Sequence, residues 1–456
     1  SRRPAGNTAV NFLRPANGIS LGEYQARRRQ LMNAMEPGSI ALIPGASMQR
    51  RNRDIDYAFR QDSDLLYLCG FEEPDALLVL VPGRSQGEVI LFCRERDPRA
   101  EQWDGGICGP ERAVGGFAVD DAFPITDVDD ILPGLLEGRR RIYQTMGEYP
   151  AFDQKLLSYV ATIRGREAGG AIPPGEFVSL KHLLHEQRLI KSDAEIQLMQ
   201  KAADISAGAH LRAMQCCTAQ LTEGQLEAEL LYEFMRNGAR HSAYPSIIGS
   251  GNNGCVLHYT NNDAPLQDGN LVLIDAGCEY QHYAADITRT FPVSGLFSPP
   301  QRALYNIVLA ANEAAIAQCR PGTPFNAPHE AAVAVMVEGL IRLGLLQGTV
   351  ADNVEAETYL QYCPHKSCHW LGLDVHDVGD YRLAEQWRPL QPGMVLTVEP
   401  GIYVAQDSPK SAVIEPYLGN GIRIEDDVLI TDNGCQVLSR GVPKAAAEIE
   451  ALMRVA

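Results

Sequence analysis

The sequence predicts an α+β protein of two domains, and three observations carry that expectation. With 456 residues the chain exceeds what one hydrophobic core ordinarily supports. Its N-terminal part alternates helix-like and strand-like segments, the pattern of an α/β domain. Its second half carries long capped helices set apart from hairpin-type strands, a pattern that packs helices on one face of an antiparallel sheet.

The elements follow in chain order. Residues 1–22 hold Arg2, Arg3 and Arg14, no acid and no apolar core like that of a signal peptide, so they read as a native tail or an organelle transit remnant. The first domain is expected over 23–176. There "YQARRRQLMNAM" has helical spacing, while "SIALIPG", "LLYLCGF", "ALLVLVPG" and "GEVILFC" read as short strands between turn residues. "FDQKLLSYVATI" is helical again, and the Pro/Gly-rich "GREAGGAIPPGE" (165–176) breaks both periods, as a linker does.

The second domain is expected over 177–456. Ser192 and Glu195 form a capping box ahead of Ile196, Met199, Ala203 and Ala207. Thr222 and Gln225 repeat it before Leu226, Leu230 and Phe234, with Gly238 as a stop. Ser298 and Gln301 give a third, with Pro299 at the first helical position. The strands between these helices are "NLVLIDAG", "AADITRTFPV", "MVLTVEPGIYV" and "GIRIEDDVLIT".

Composition narrows the partners. A net charge of −17 argues against nucleic acid and against anionic membrane surfaces. Apolar runs such as "ALLVLV" fall far short of the ~20 residues a membrane span needs. The eleven cysteines show no CxxC pair and read as reduced, small apolar residues of a cytoplasmic protein.

The chemistry concentrates in "HKSCHWLGLDVHDVG" (365–379), which holds His365, His369 and His376 out of only ten histidines. Imidazole is the commonest transition-metal ligand and titrates near neutral pH. A single histidine among apolar neighbours would be an ordinary core residue. Carboxylates that interrupt apolar strands change that balance. Asp275 ends "LVLID"; alternation puts Ala284, Asp286, Thr288 and Thr290 on one face; Glu399 interrupts "MVLTVEPG"; Glu425 interrupts "IRIEDDVLI", two residues from Arg423. Any one of these is explained by a backbone N–H or an arginine. Four together repel unless cations lie between them, and two divalent ions would cancel the four charges. That donor set suits hard or borderline cations and hydrolytic chemistry.

"LIDAGCEYQHYAADITRTFPVSG", "HKSCHWLGLDVHDVG", "VLTVEPGIYV" and "GIRIEDDVLIT" resemble the bacterial Xaa-Pro aminopeptidases (aminopeptidase P) of the pita-bread dinuclear metallopeptidase family. "RQDSDLLYLCGFEEPDA", "SIIGSGNNGCVLHYT" and "AEIEALM" extend the resemblance over nearly the whole chain. It implies a creatinase-like N-terminal α/β domain, a C-terminal pita-bread domain and two Mn2+ per subunit. It further implies a homo-oligomer (dimer or tetramer) acting on peptides with proline second.

By the same resemblance Asp275 would chelate one ion, Asp286 and Glu425 would bridge both, and His369 and Glu399 would complete the second. A hydroxide between the ions would be the nucleophile, with Glu399 also moving its proton to the leaving nitrogen. His258 and His376 would hold the scissile carbonyl and the tetrahedral intermediate. His365, with Trp370, would wall the proline pocket, Arg423 and Thr288 would orient the carboxylates, and Asp54 would approach the substrate amine. His282 and His329 read as structural. Lys366 stands where relatives usually carry glycine, beside the proline pocket. Two other readings stay open: a prolidase on the same scaffold, and a metal-free binding scaffold. The match of "HWLGLDVHDVG" and "HYTNND" disfavours the first, and retention of all five ligand types disfavours the second.

Overall fold

The structure is a computed structural model that describes residues 15 and 17–454. Most of the tail expected at 1–22 lies outside those residues. The chain divides into two compact units, Ser1–Arg188 and Leu189–Ala456.

The first unit is built on one six-stranded sheet. Its spatial order is Asp121–Pro124, Val89–Cys93, Leu77–Leu80, Ser39–Pro44, Arg141–Tyr143, Glu176–Val178. The three central strands pair antiparallel and the outer pairings are parallel. Ile40, Leu42, Val79, Ile90 and Phe92 bury one sheet face against Leu132, Leu136, Leu156 and Val160 of the helices Val128–Leu136 and Pro150–Arg164. Two segments differ from the sequence expectation. "LLYLCGF" is a helix, Ser63–Cys69, because Asp62 accepts from the backbone of Asp64 and Leu65 at its start and Gly70 ends it in the left-handed conformation. The expected linker at 165–176 lies inside this unit: Glu176 begins the edge strand that pairs with Arg141–Tyr143. The contact boundary falls after Arg188 instead.

In the second unit all three expected capping boxes are formed, at Ser192, Thr222 and Ser298. The helix Asp193–Cys216 packs on Glu223–Arg236, and Pro299–Gln318 packs on Ala327–Arg342. The strands are short and antiparallel, in ladders of two or three. A single apolar core joins both kinds of element, from Ala202, Leu226 and Leu230 to Ile274, Leu304, Val337, Leu396 and Val428. Among the described residues no helix is long and apolar enough to cross a membrane.

His210 ties a helix to the ladder that carries the site. Its ring is fully buried, and Nε2 donates to the carbonyl of Ala276 at 2.9 Å. Nδ1 is buried without a hydrogen-bond partner among the described residues. Burial pushes His210 down from the usual histidine value to about 4. The unfolded chain takes up that proton at about 6.5, the folded one only near 4, so stability is lost as pH falls between those values. Urea unfolding followed from pH 7 to pH 4 should lose about 3 kcal/mol through this group. His210→Gln, which keeps an N–H for Ala276, should flatten that part of the profile; an unchanged slope would refute the assignment.

Candidate metal centre

Every one of the interrupting carboxylates but Asp275 sits where a strand breaks. Asp275 ends the strand Leu271–Asp275, paired on one side to Ile247–Ser250 and on the other to Thr288–Pro292. Asp286 lies between Tyr283–Ala284 and Thr288–Pro292, and Glu399 between Val395–Val398 and Gly401–Val404. Glu425 lies between Asn420–Arg423 and Asp426–Thr431, held by a bridge to Thr288. The face expected to run from Ala284 to Thr290 is therefore interrupted at Asp286. A carboxylate inside an unbroken apolar ladder would be desolvated without relief; at a break it turns into a shared cavity. Gly277 makes room for the turn, since a Cβ there would stand 1.8 Å from the carbonyl oxygen of Ala285.

The cavity measures about 820 Å³ and is lined by Asp275, Asp286, Glu399, Glu425, Arg423, His258, His365, His369 and His376, with Tyr244, Lys366 and Tyr381. Asp286, His369 and Glu425 each offer a ligand atom, all within 4.8 Å of one another. His369 Nε2 lies 3.4 Å from Asp286 and 3.2 Å from Glu399. The Tyr244 hydroxyl sits 2.6 Å from both Asp275 and Asp286. These contacts join all five donor residues of the sequence pattern in one cluster.

A second set of side chains fixes their directions. Arg423 donates to Asp275 at 2.8 Å, to the Tyr403 hydroxyl at 2.7 Å and to Thr288 at 3.3 Å. Thr288 in turn donates to Glu425 at 2.6 Å. The Asp286 backbone N–H donates to Asp427 at 3.1 Å. Tyr244, Tyr403 and Asp427 were not legible from spacing, although a tyrosine ahead of "PSII" and a second acid after Glu425 were in plain view.

The histidines divide by their partners. His369 Nδ1 donates to the Trp370 carbonyl at 2.8 Å, which presents Nε2 to the carboxylates. His365 Nδ1 donates to the Lys366 carbonyl and Nε2 accepts from Tyr403, both at 2.8 Å. His258 and His376 line the cavity, exposed to it, with no hydrogen bond among the described residues. His329 accepts from the Ser367 backbone at 3.2 Å and so supports the loop from outside the cavity. His282 stands 3.6 Å from Glu279, away from the cavity lining.

Two expectations do not fall in this cluster. Trp370 is fully buried, stacked on Tyr381 with centroids 5.4 Å apart, so Tyr381 and not Trp370 reaches the cavity. Its ring packs in an aromatic core with Phe325, centroids 4.6 Å apart. Asp54 is exposed at the turn between Arg50–Asn52 and Ile55–Asp56 in the first unit, and the cavity residues all belong to the second.

Electrostatics favour a cation. Burial, then the charge of Asp275, pushes Asp286 up to about 6. Burial and then Asp286 and Glu399 push Glu425 well above the usual carboxylate range. Burial opposes the charge on His369, but Asp286 and Glu399 outweigh it and hold the ring protonated. Protein groups thus leave Asp286 and Glu425 under-neutralised among oxygen and imidazole donors, and such a donor set fits divalent cations of hard or borderline character.

A carboxylate–histidine cation site on broken antiparallel ladders, backed by paired helices, is the site of a metal-dependent hydrolase. Residues 197–432 match the model of "Metallopeptidase family M24", and residues 24–143 that of "Aminopeptidase P, N-terminal domain". The Xaa-Pro aminopeptidase of Escherichia coli is 44% identical over 436 residues, spanning 95% of this chain and 98% of its own. Among solved structures, Pseudomonas aeruginosa aminopeptidase PepP superposes with a TM-score of 0.94 at 54% identity, covering 96% of this chain and 98% of that one. A zinc-substituted E. coli aminopeptidase P in complex with product gives 0.92 at 44%, covering 96% and 99%. The chain belongs to metallopeptidase family M24, with the two-domain aminopeptidase P fold whose second domain is the pita-bread.

Asp286 is grouped with His369 and Glu425 and shares the Tyr244 hydroxyl with Asp275, so its loss should be severe. Asp286→Ala should reduce peptidase activity to background. Added divalent metal should raise the melting temperature of chelator-treated wild type by mass action but not that of the variant. Full activity in the variant, or in chelator-stripped wild type, would contradict a metal-dependent site.

Proposed function

We propose that this protein is a Xaa-Pro aminopeptidase that hydrolyses the peptide bond between an N-terminal residue and a following proline. The observation that carries the reading is the convergence of Asp275, Asp286, His369, Glu399 and Glu425 on one cavity whose remaining walls carry three further histidines. Those five residues would hold two Mn2+ ions, a choice supported by four carboxylates to one imidazole. Bound cations supply Lewis-acid chemistry there, lowering the pKa of water and polarising a carbonyl oxygen.

The chain's own residues do the rest. Glu399, bonded by the Thr397 hydroxyl at 3.2 Å, takes the proton of the attacking water at its carboxylate and gives it to the leaving proline nitrogen. That nitrogen leaves as a neutral amine only once it has gained a proton, so an acid must supply one. His258 and His376, free of other partners, donate to the oxygen on which charge develops. His365, tied at both nitrogens, gives the proline ring a wall and no competing donor. Arg423 and Thr288 keep the carboxylates aligned. Glu223 braces the loop that bears His258, accepting from Ser250, Asn253, Tyr259 and Ala264 at 2.8–3.0 Å. Lys366 lines the cavity without an ion pair among the described residues and tunes which residues follow proline.

The eleven cysteines are all unpaired thiols, eight of them buried, which supports a cytoplasmic site of action. The working unit in this proposal is a homo-oligomer, dimer or tetramer, which light scattering tests directly.

Three substrates separate the readings: Xaa-Pro-Yaa, Xaa-Ala-Yaa and N-acetylated Xaa-Pro-Yaa. Only the first should turn over, and comparable rates on all three would defeat the proposal. Activity confined to Xaa-Pro dipeptides would favour a prolidase instead. His376→Ala should lower kcat by about 10²- to 10³-fold while metal content is retained, the size of one oxyanion donor. His369→Ala should lose metal; equal metal loss in both variants would erase the distinction between these histidines.

A further inference from the structure

Outside the cluster, two ion pairs of the described residues have both side chains at most 1% exposed and sit against the site: Arg289–Asp426, beside Glu425, and Lys191 Nζ to Asp377 Oδ2, 2.9 Å, beside His376. Asp377 immediately follows His376. The segment 371–381 that carries both forms no helix or strand. His376 makes no hydrogen bond of its own among the described residues and touches the cluster only edge-on, its ring 4.4 Å from that of His369. Its direction is therefore set by its backbone, and that backbone is set largely by Asp377.

We propose that the Lys191–Asp377 pair is a positioning device for His376, a reading that rests on the role given to His376 above. Asp377 N–H donates to the Trp370 carbonyl at 3.0 Å, and its Oδ1 accepts from the Asp374 backbone at 3.4 Å, so one residue closes the loop on itself from both sides. Lys191 anchors the closed loop to the sheet. Its backbone N–H donates to Gly393 at 2.8 Å, and Gly393 donates to Ile430 at 2.9 Å. Gly372 leaves space for the pair: a Cβ there would stand 2.3 Å from Asp377 Oδ2 and 3.0 Å from Lys191 Cε.

A hydrophobic pair of the same volume would fill this space at no cost in stability, often with a gain. It would not fix the loop to a single direction. Two desolvated charges 2.9 Å apart tolerate little displacement, because separating them exposes each to the full desolvation penalty. His376 needs that constraint, since a donor displaced by about 1 Å from the developing oxyanion can lose 10²-fold in rate.

The test is a mutant cycle on the metal-loaded full chain with an Xaa-Pro-Yaa peptide. Asp377→Asn should lower kcat by about 10- to 100-fold with KM and metal content held within about two-fold. In a His376→Ala background the same substitution should change kcat by less than about two-fold, because the group it positions is gone. Asp377→Asn strands the lysine charge and threatens folding, so the pair Lys191→Met with Asp377→Leu serves as a second variant. It should melt close to wild type and still lose kcat. A full Asp377→Asn loss in the His376→Ala background, or wild-type kcat in the uncharged pair, overturns the proposal. A His376→Ala enzyme of undiminished kcat overturns the role of His376 itself, and this proposal with it.

Discussion

Mutual repulsion among four buried carboxylates is the constraint from which the rest of the second unit follows. Asp275, Asp286, Glu399 and Glu425 share one desolvated cavity, and burial with like charge drives Asp286 and Glu425 toward their protonated forms. Among the described residues the protein answers with one guanidinium in contact, Arg423, and with His369, whose charged form the two neighbouring acids favour until a cation displaces its proton. Divalent ions complete the neutralisation. The scaffold accordingly spends its hydrogen bonds on direction: Tyr244, Thr288, Arg423 and Asp427 each fix a carboxylate or its backbone.

The same economy governs the histidines. Where a ring must present one nitrogen, the other is tied to a neighbouring carbonyl, as in His369; where it serves as a wall, both are tied, as in His365. Where a ring must answer to a changing charge, it makes no hydrogen bond among the described residues, as in His258 and His376. Chemical role and hydrogen-bond inventory agree, so the sequence cluster resolves into distinct tasks.

Much of this was readable from residues alone, for identifiable reasons. Capping boxes at Ser192, Thr222 and Ser298 are local signals that tertiary packing had no cause to override. Acids inside apolar runs marked the site because their desolvation cost has few remedies. The misses share a cause as well. "LLYLCGF" is apolar throughout and shows neither period, so only Asp62 and Gly70, at its edges, distinguish helix from strand. Trp370 was placed on the pocket wall because sequence proximity to His369 does not tell which way a ring faces. Tyr244, Tyr403 and Asp427 reach their partners in the site across 20 or more residues, as Tyr403–Arg423, Tyr244–Asp275 and Asp286–Asp427 illustrate, and no local pattern encodes them.

The breaks that carry Asp286, Glu399 and Glu425 have a further consequence, for synthesis. The donors are spread from residue 275 to residue 425, and the bridge between Thr288 and Glu425 closes the site across most of the second unit. Contacts so distant along the chain raise the contact order, and loop closure must precede any reward from them. During translation the first four donors emerge, with their repulsion unrelieved, before Glu425 and its strand leave the ribosome. A nascent chain is thus unable to cleave peptides until the unit is nearly complete, and metal capture becomes one of the last events of its folding.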